Sequence, residues 1–596
     1  MAIIRGEAWT LTWCPQYFDG DGVLHSGLTY ADSVVDEDWL TNIFGVHAGA
    51  NLPDPNVDFD KHWVYGDLSN RNYYVAYKGK AAFSGGIGDI LLLNGTSMRL
   101  PFGPCATTLP PTVDTSTTLS AAMVQGASAI TLTAPVGGAG KVLCVGGAIP
   151  GSDIPPSAAC EYVVQSGAAT IHPHIEYTMS TGSAFVAGDV ILGAGGGALT
   201  VVGLATGHEA HGTVNATAFV AGEAITCVAR GFTGNITRPG GYCRFSHMIG
   251  TRVVLLTDGA LSNLWPGRVD VTVANAGLWA TGDYVCIGYG SPYAEVRGPC
   301  TLAGSSFSWT KPLSYDHGHY GGLMKVVATA GIYTHTLCET RELPAIQIAA
   351  DYTDVDGAAS LMRRYVGVKC NSGSYKASEG SVLRMSLDGL IGRTLRYRDL
   401  DSSGVADTAL SPWYSANIVK VAHVFPTTEP YYFSMGRLTF AGSIVARARD
   451  FSLEVSHGIE PKYYMNDQAP ASAPQYVPWE LREGRREYCC NITVDVDPNE
   501  RNLFADLCRM GTYSTSYKGF QLIFAFTRGV NDTITFTMPP NRNESVTVPG
   551  AGGDAQGCLI PKAPHNIVEQ PLVSVPLEIE VRSVGIVIKD TIQYYP

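Results

Sequence analysis

Two histidine pairs come nearest to metal-ligand spacing: His172-Pro173-His174 and His317-Gly318-His319. On a strand, residues two apart share a face, so each pair would aim two imidazoles at one ion. No cysteine or carboxylate is spaced to complete either site. Both pairs lie in turn-rich sequence, and exposed loop histidines are the expected reading. The run GAGGGALT lacks the Lys-Ser/Thr that a phosphate-binding loop requires, and no G-x-S-x-G elbow occurs. Asp36-Glu37-Asp38 sits in a long polar stretch and reads as a solvated loop. The cysteines, fourteen in all and single except for Cys489-Cys490, read as reduced core residues rather than a disulfide framework. The expectation is a non-enzyme with no catalytic residue, no cofactor and no metal.

The charged residues with the clearest positional meaning lie on alternating strands. In Asp450 to Ser456, Phe451, Leu453 and Val455 alternate with Asp450, Ser452, Glu454 and Ser456. In Tyr488 to Val496, Tyr488, Cys490, Ile492, Val494 and Val496 alternate with Asn491, Thr493 and Asp495. Each pattern is a half-buried strand, which puts Asp450, Glu454 and Asp495 on a wet face. Asp497-Pro498-Asn499-Glu500 then offers an N-cap, a proline at the first helical position and acid in the first turn, predicting a short helix that ends at Gly511.

Composition sets the class. The chain has 596 residues, only 16% of them charged, and 67 glycines. That length allows about three or four domains. Its Ser/Thr/Val-rich runs and frequent turns predict a mainly β protein of sandwiches or barrels. A net charge of -13 argues against gripping nucleic acid, which needs clustered Lys and Arg. The opening MAIIRGEAWTLTWC lacks a basic start followed by an apolar run, and no window is long enough to span a bilayer, so assembly in the cytoplasm is expected.

Along the chain, Glu7 to Cys14 reads as a strand, followed by a polar excursion to about Tyr65. Asn72 to Phe83 is strand-like, and Ile87 to Leu93 predicts a short apolar helix stopped by Asn94-Gly95. This order echoes the later strand-then-helix and suggests a duplication. Residues 106–330 differ in texture and carry internal rhymes. Gly126 to Gly146 resembles Gly267 to Gly288, and AFVAGDVI at Ala184 is echoed by AFVAGEAI at Ala218. Such units predict small β modules inserted where two chain ends lie close together, projecting outward. The expected division is 1–105 with 331–395 as a discontinuous first sandwich, 106–330 as inserted β modules, 396–426 as a connector arm, and 427–596 as a second sandwich. Each sandwich is expected to carry a short packed helix.

The order of parts RRYVGVKCNSGSYKASEGSVLRMSLDGLIG (Arg363 to Gly392), FSLE, HGIEPKYY and EGRREY resembles the tail tube proteins of long-tailed bacteriophages. The likeness covers about 350 residues on ordinary domain sizes. It implies a virion structural protein whose copies form stacked rings by extending a sheet across subunit boundaries. It further implies a hollow conduit for DNA, filled during assembly by a tape-measure protein and bounded by tail-tip and terminator proteins, with no membrane partner. With two tube sandwiches per chain, three chains give a pseudo-sixfold ring, so a trimeric pseudo-hexamer is expected in preference to the hexamer that a single sandwich would require. The resemblance places a wet sheet around the lumen, making Asp450, Glu454 and Asp495 the lumen-facing acids; an ordinary outer sheet is the other reading of the same residues. A glycan-binding adhesin is the rival, with Tyr289, Tyr293, Phe307 and Trp309 stacking on sugars, and a polysaccharide-degrading tail enzyme is a third.

Overall fold

The computed structural model describes residues 4–15, 49–62, 75–146, 160–179, 185–337, 343–354, 360–397, 428–463, 478–495, 521–538, 558–562 and 574–593, apart from short breaks of up to three residues. The helix expected after Asp497 and nearly all of the connector lie outside these residues. The fold is mainly β, as the composition predicts. Two sheets, of twelve and seven strands, enclose one hydrophobic cluster.

Alternation explains this pairing. Phe451, Leu453 and Val455 of the Ala448–Ser456 strand are buried, as are Tyr488, Cys490, Ile492 and Val494 of the Glu487–Asp495 strand. Both belong to the twelve-stranded sheet, where they pair antiparallel from Ala448–Val494 to Ser456–Glu487. The Phe451 ring lies 4.1 Å from Phe524 and 5.5 Å from Phe536 of the facing sheet, joining the two layers. Burying one such ring stabilises by about 2–3 kcal/mol. The sheets also interleave sequence-distant stretches. The Ser360–Ser378 strand pairs with Ala448–Ser456, and Tyr333–Leu337 pairs with Gly585–Asp590. Side chains from before residue 395 and after residue 427 therefore share one core.

Two local expectations are corrected. The apolar run at Ile87 is no helix: the Val75–Leu91 strand continues through it, and the helical turn that follows is the 3-10 segment Thr96–Arg99. The polar excursion before Tyr65 contains the strands Gly49–Asn51 and Pro55–His62, which pair with the Val75–Leu91 strand.

The chain leaves the sandwich through the Cys105–Thr108 strand and returns through Tyr333–Leu337, and these two strands pair in register. Between them lie a closed six-stranded barrel, from His174–Met179 to Phe232–Gly241, and sheets of five, four and three strands. The A-G-D rhyme has a structural cause. Gly188, Gly222 and Gly282 sit at φ 96°, 80° and 98°, a left-handed turn conformation that favours glycine. Their N–H groups donate to the carbonyls of Val201, Ile236 and Cys300, whose own N–H groups donate back to the carbonyls of Asp189, Glu223 and Asp283. The carboxylates of those acids accept the N–H of Val186, Val220 and Ala280, each following a buried aromatic: Phe185, Phe219 or Trp279. Gly140-Lys141 repeats the backbone pattern against Gln165 without the acid. One aromatic-x-x-Gly-acid turn thus begins three hairpins and, in reduced form, a fourth.

Candidate functional site

The outer face of the twelve-stranded sheet is polar and carries a concavity. On the Ser574–Val581 strand, Glu578 and Glu580 point out while Val575, Leu577, Ile579 and Val581 point in. Register aligns the outward residues in rows: Glu454, Cys489 and Glu580 form one, and Ser452, Asn491 and Glu578 the next. Neighbours within such a row are about 5 Å apart at Cβ. A concavity of about 770 Å³ lies over this face, bordered by Lys376, Arg384, Asp450, Glu454, Asn491 and Glu578 among others. The acidic field is felt locally: burial pushes the Cys489 thiol up, and Glu578, Glu454 and Glu580 add to the effect.

The three acids expected on this face occupy different environments. Glu454 is exposed, whereas Asp450 is half-buried at the rim of the concavity. Asp495 is buried, with only 6% of its surface exposed. A register shift between Ala448 and Asp450 breaks the alternation, and the Asp495 N–H bonds the Arg447 carbonyl. The Asp495 carboxylate accepts Arg449 Nε at 2.8 Å and Ser574 Oγ at 2.5 Å, while Asp450 accepts the Thr493 N–H at 2.7 Å. Asp450 and Asp495 therefore hold three strands together at a bulge. The sequence pattern misses Glu578 and Glu580, although V-P-L-E-I-E-V alternates as plainly as the other two strands.

The sequence motifs RRYVGVKCN, HGIEP and EGRREY meet at one junction beside this face. Asn371 O accepts the His457 N–H, and Asn371 Oδ1 accepts the Ile459 N–H. His457 is buried between Pro101 O, which accepts from Nε2 at 2.6 Å, and Arg486 Nε, which donates to Nδ1 at 3.1 Å. Burial, and then the nearby Arg486 charge, lower its pKa to about 4, so the ring is neutral at physiological pH. Lys369 Nζ pairs with Glu483 Oε1 at 2.9 Å, and the same oxygen takes the Leu343 N–H. Gly484 and Gly458 approach so closely that a Cβ on Gly484 would lie 2.6 Å from the Gly458 carbonyl oxygen. Backbone packing thus brings these three motifs together.

The histidine pairs do not converge on an ion. His317 Nε2 meets Glu295 Oε1 at 3.0 Å, while His319 Nδ1 meets Glu209 Oε2 at 3.3 Å. His174 stacks on His211 at 5.0 Å, and His172 is half-buried with its pKa lowered by burial. Among the described residues, no three such side chains are grouped to hold a metal. The aromatics proposed as sugar platforms are packing residues. Tyr289, Phe307 and Trp309 are buried, and Tyr293 packs on Tyr315 and Tyr320. Among the described residues, no helix is long and apolar enough to cross a membrane.

Residues 297–577 match the family model described as phage tail tube protein. The match supports a phage tail structural protein. It spans just under half of the chain and takes in the motif junction and most of the concave sheet face. The family is structural and non-enzymatic, and it places the chain in the virion tail. No curated protein matches the chain.

Proposed function

We propose that this protein is the major tail tube subunit of a long-tailed phage particle, whose copies close into stacked rings with the concave polar sheet face lining a DNA channel. The observation that carries this reading is that the family match takes in most of the concavity on the polar sheet face, Glu454 included, while Glu578 and Glu580 continue that face just past the end of the match. A sheet that closes a ring must curve toward its lumen. Carboxylates there repel phosphates within a Debye length of about 8 Å, so DNA slides without sticking. Among the described residues, the main path of the sheet ends at Gly49–Asn51 on one side and Leu559–Lys562 on the other, which we take as the edges that pair between copies. A single shared core supports one sandwich per chain, which favours a hexameric ring over the trimeric one that two sandwiches would require. The stretch 109–332 leaves and re-enters through the paired strands Cys105–Thr108 and Tyr333–Leu337, in keeping with outward decoration. Tape-measure, tail-tip and terminator proteins are the partners this role entails.

The test is negative-stain electron microscopy of the purified full chain at high concentration, with and without tail-tip complexes as seeds. Hollow tubes or stacked rings support the reading. Monomers under both conditions would refute it.

A further inference from the structure

Cys144 and Cys160 hold their sulfurs 3.3 Å apart in the core of the module built on the Val142–Val145 and Glu161–Gly167 strands. Strand register accounts for the approach. Cys144 stands opposite Tyr162, and Cys160 precedes Tyr162 by two positions, so both cysteines share the inward face as diagonal neighbours. Both are buried free thiols. Among the described residues, no other cysteine pair lies within hydrogen-bonding distance. A disulfide bond is about 2.05 Å long, so each sulfur needs to move only about 0.6 Å to form one.

We propose that Cys144 and Cys160 are a redox pair that closes to a disulfide when the protein meets an oxidising medium, stapling the residues between the two strands. A low-molecular-weight disulfide is the oxidant. One cysteine thiolate attacks a sulfur of that reagent, forming a mixed disulfide and releasing one small thiolate. The second cysteine then attacks the protein-bound sulfur and expels the other. The two cysteine protons end on the two released thiols, and the two electrons reduce the reagent. Closure is slow at neutral pH, because hydrogen bonding to Cys144 and burial hold the Cys160 thiol well above its ordinary value, leaving little thiolate. The biological occasion rests on the virion assignment, since a released particle passes from a reducing interior to an oxidising surrounding. The thiol chemistry stands without it.

The full chain is incubated at length with glutathione disulfide near pH 8.5, which raises the thiolate fraction above its neutral-pH level, then alkylated, digested without reductant and analysed by mass spectrometry. The expected product is a peptide pair joined through Cys144 and Cys160, two hydrogens lighter than its reduced form and separated by dithiothreitol. Cys144→Ser abolishes the cross-link while the protein keeps its β circular dichroism. The oxidised chain resists proteolysis between the two cysteines several-fold better than the reduced one. Recovery of both cysteines as alkylated thiols after prolonged oxidation, or cross-links spread over other cysteines, would overturn the proposal. A chain that closes this disulfide yet never forms tubes would refute the tail reading and leave the redox pair standing.

Discussion

Acid should weaken the motif junction through His457. The neutral ring donates to Pro101 O and accepts from Arg486, so a proton on Nδ1 would break the second bond and set two cations together. Its pKa is lowered from 6.5 to about 4 in the folded protein. The unfolded chain therefore takes up the proton first as pH falls. The stability contributed by the neutral ring is fully present above about pH 6.5 and is lost progressively until about pH 4. At 1.36 kcal/mol per pH unit, the loss is on the order of 3 kcal/mol. His457→Gln isolates this effect, because the amide supplies one donor and one acceptor but cannot take up a proton in this range. Hydrogen exchange of the Glu487–Asp495 strand, corrected for intrinsic pH dependence, should show the wild type losing protection relative to the variant between pH 6.5 and 4. Parallel curves over that interval would refute the assignment, since all other titrating groups are common to both proteins.

The buried and exposed acids should separate in the same assay. Asp495→Ala removes the Arg449 and Ser574 bonds at the bulge and is expected to cost about 2 kcal/mol, discounted because Arg449 is 40% exposed; Glu454→Ala should change stability by less than about 0.5 kcal/mol. Arg99 is fully buried between the Trp13 and Tyr315 rings, and among the described residues none of its guanidinium nitrogens has a hydrogen-bond partner. Arg99→Met should therefore raise thermal stability, by about 1–2 kcal/mol, because desolvation of the cation outweighs the two ring contacts; a lowered melting temperature would reverse that balance. Combined Glu454→Lys, Glu578→Lys and Glu580→Lys should leave tube assembly intact but slow DNA release from particles, measured by dye uptake of ejected DNA; unchanged release would remove the electrostatic role.

Much of the architecture was legible because strand faces are written in period two. Phe451, Leu453 and Val455 point into the core as their alternation requires, and the A-G-D rhyme marks a real turn device. Failures of the pattern occur at bulges. Ile87 and Ile90 both point inward because Asp89, at φ 47°, adds a residue where the strand pairs with Leu387 and Met385. That spacing of three imitates a helical stripe, so the run from Ile87 to Leu93 reads as a helix. The bulge before Asp450 similarly upsets the alternation that would leave Asp495 in solvent. Long-range placement left no local signal: nothing near His457 indicates that Pro101 will accept its proton or that Arg486 will face it. The exposed-loop reading of the histidine pairs fails for the same reason: His174 and His317 are buried, and a partner such as Glu295 is set by tertiary packing.

Cys489 gives the most direct test of the central claim. It lies on the polar sheet face between Glu454 and Glu580 and, of the cysteines whose side chains are described, is the one that is not buried. A maleimide-gold label attached to Cys489 in assembled tubes and located by cryo-electron microscopy reports which way that face points. The account predicts gold density inside the central channel at every ring. Gold on the outer wall would contradict it and assign the acidic sheet to the exterior.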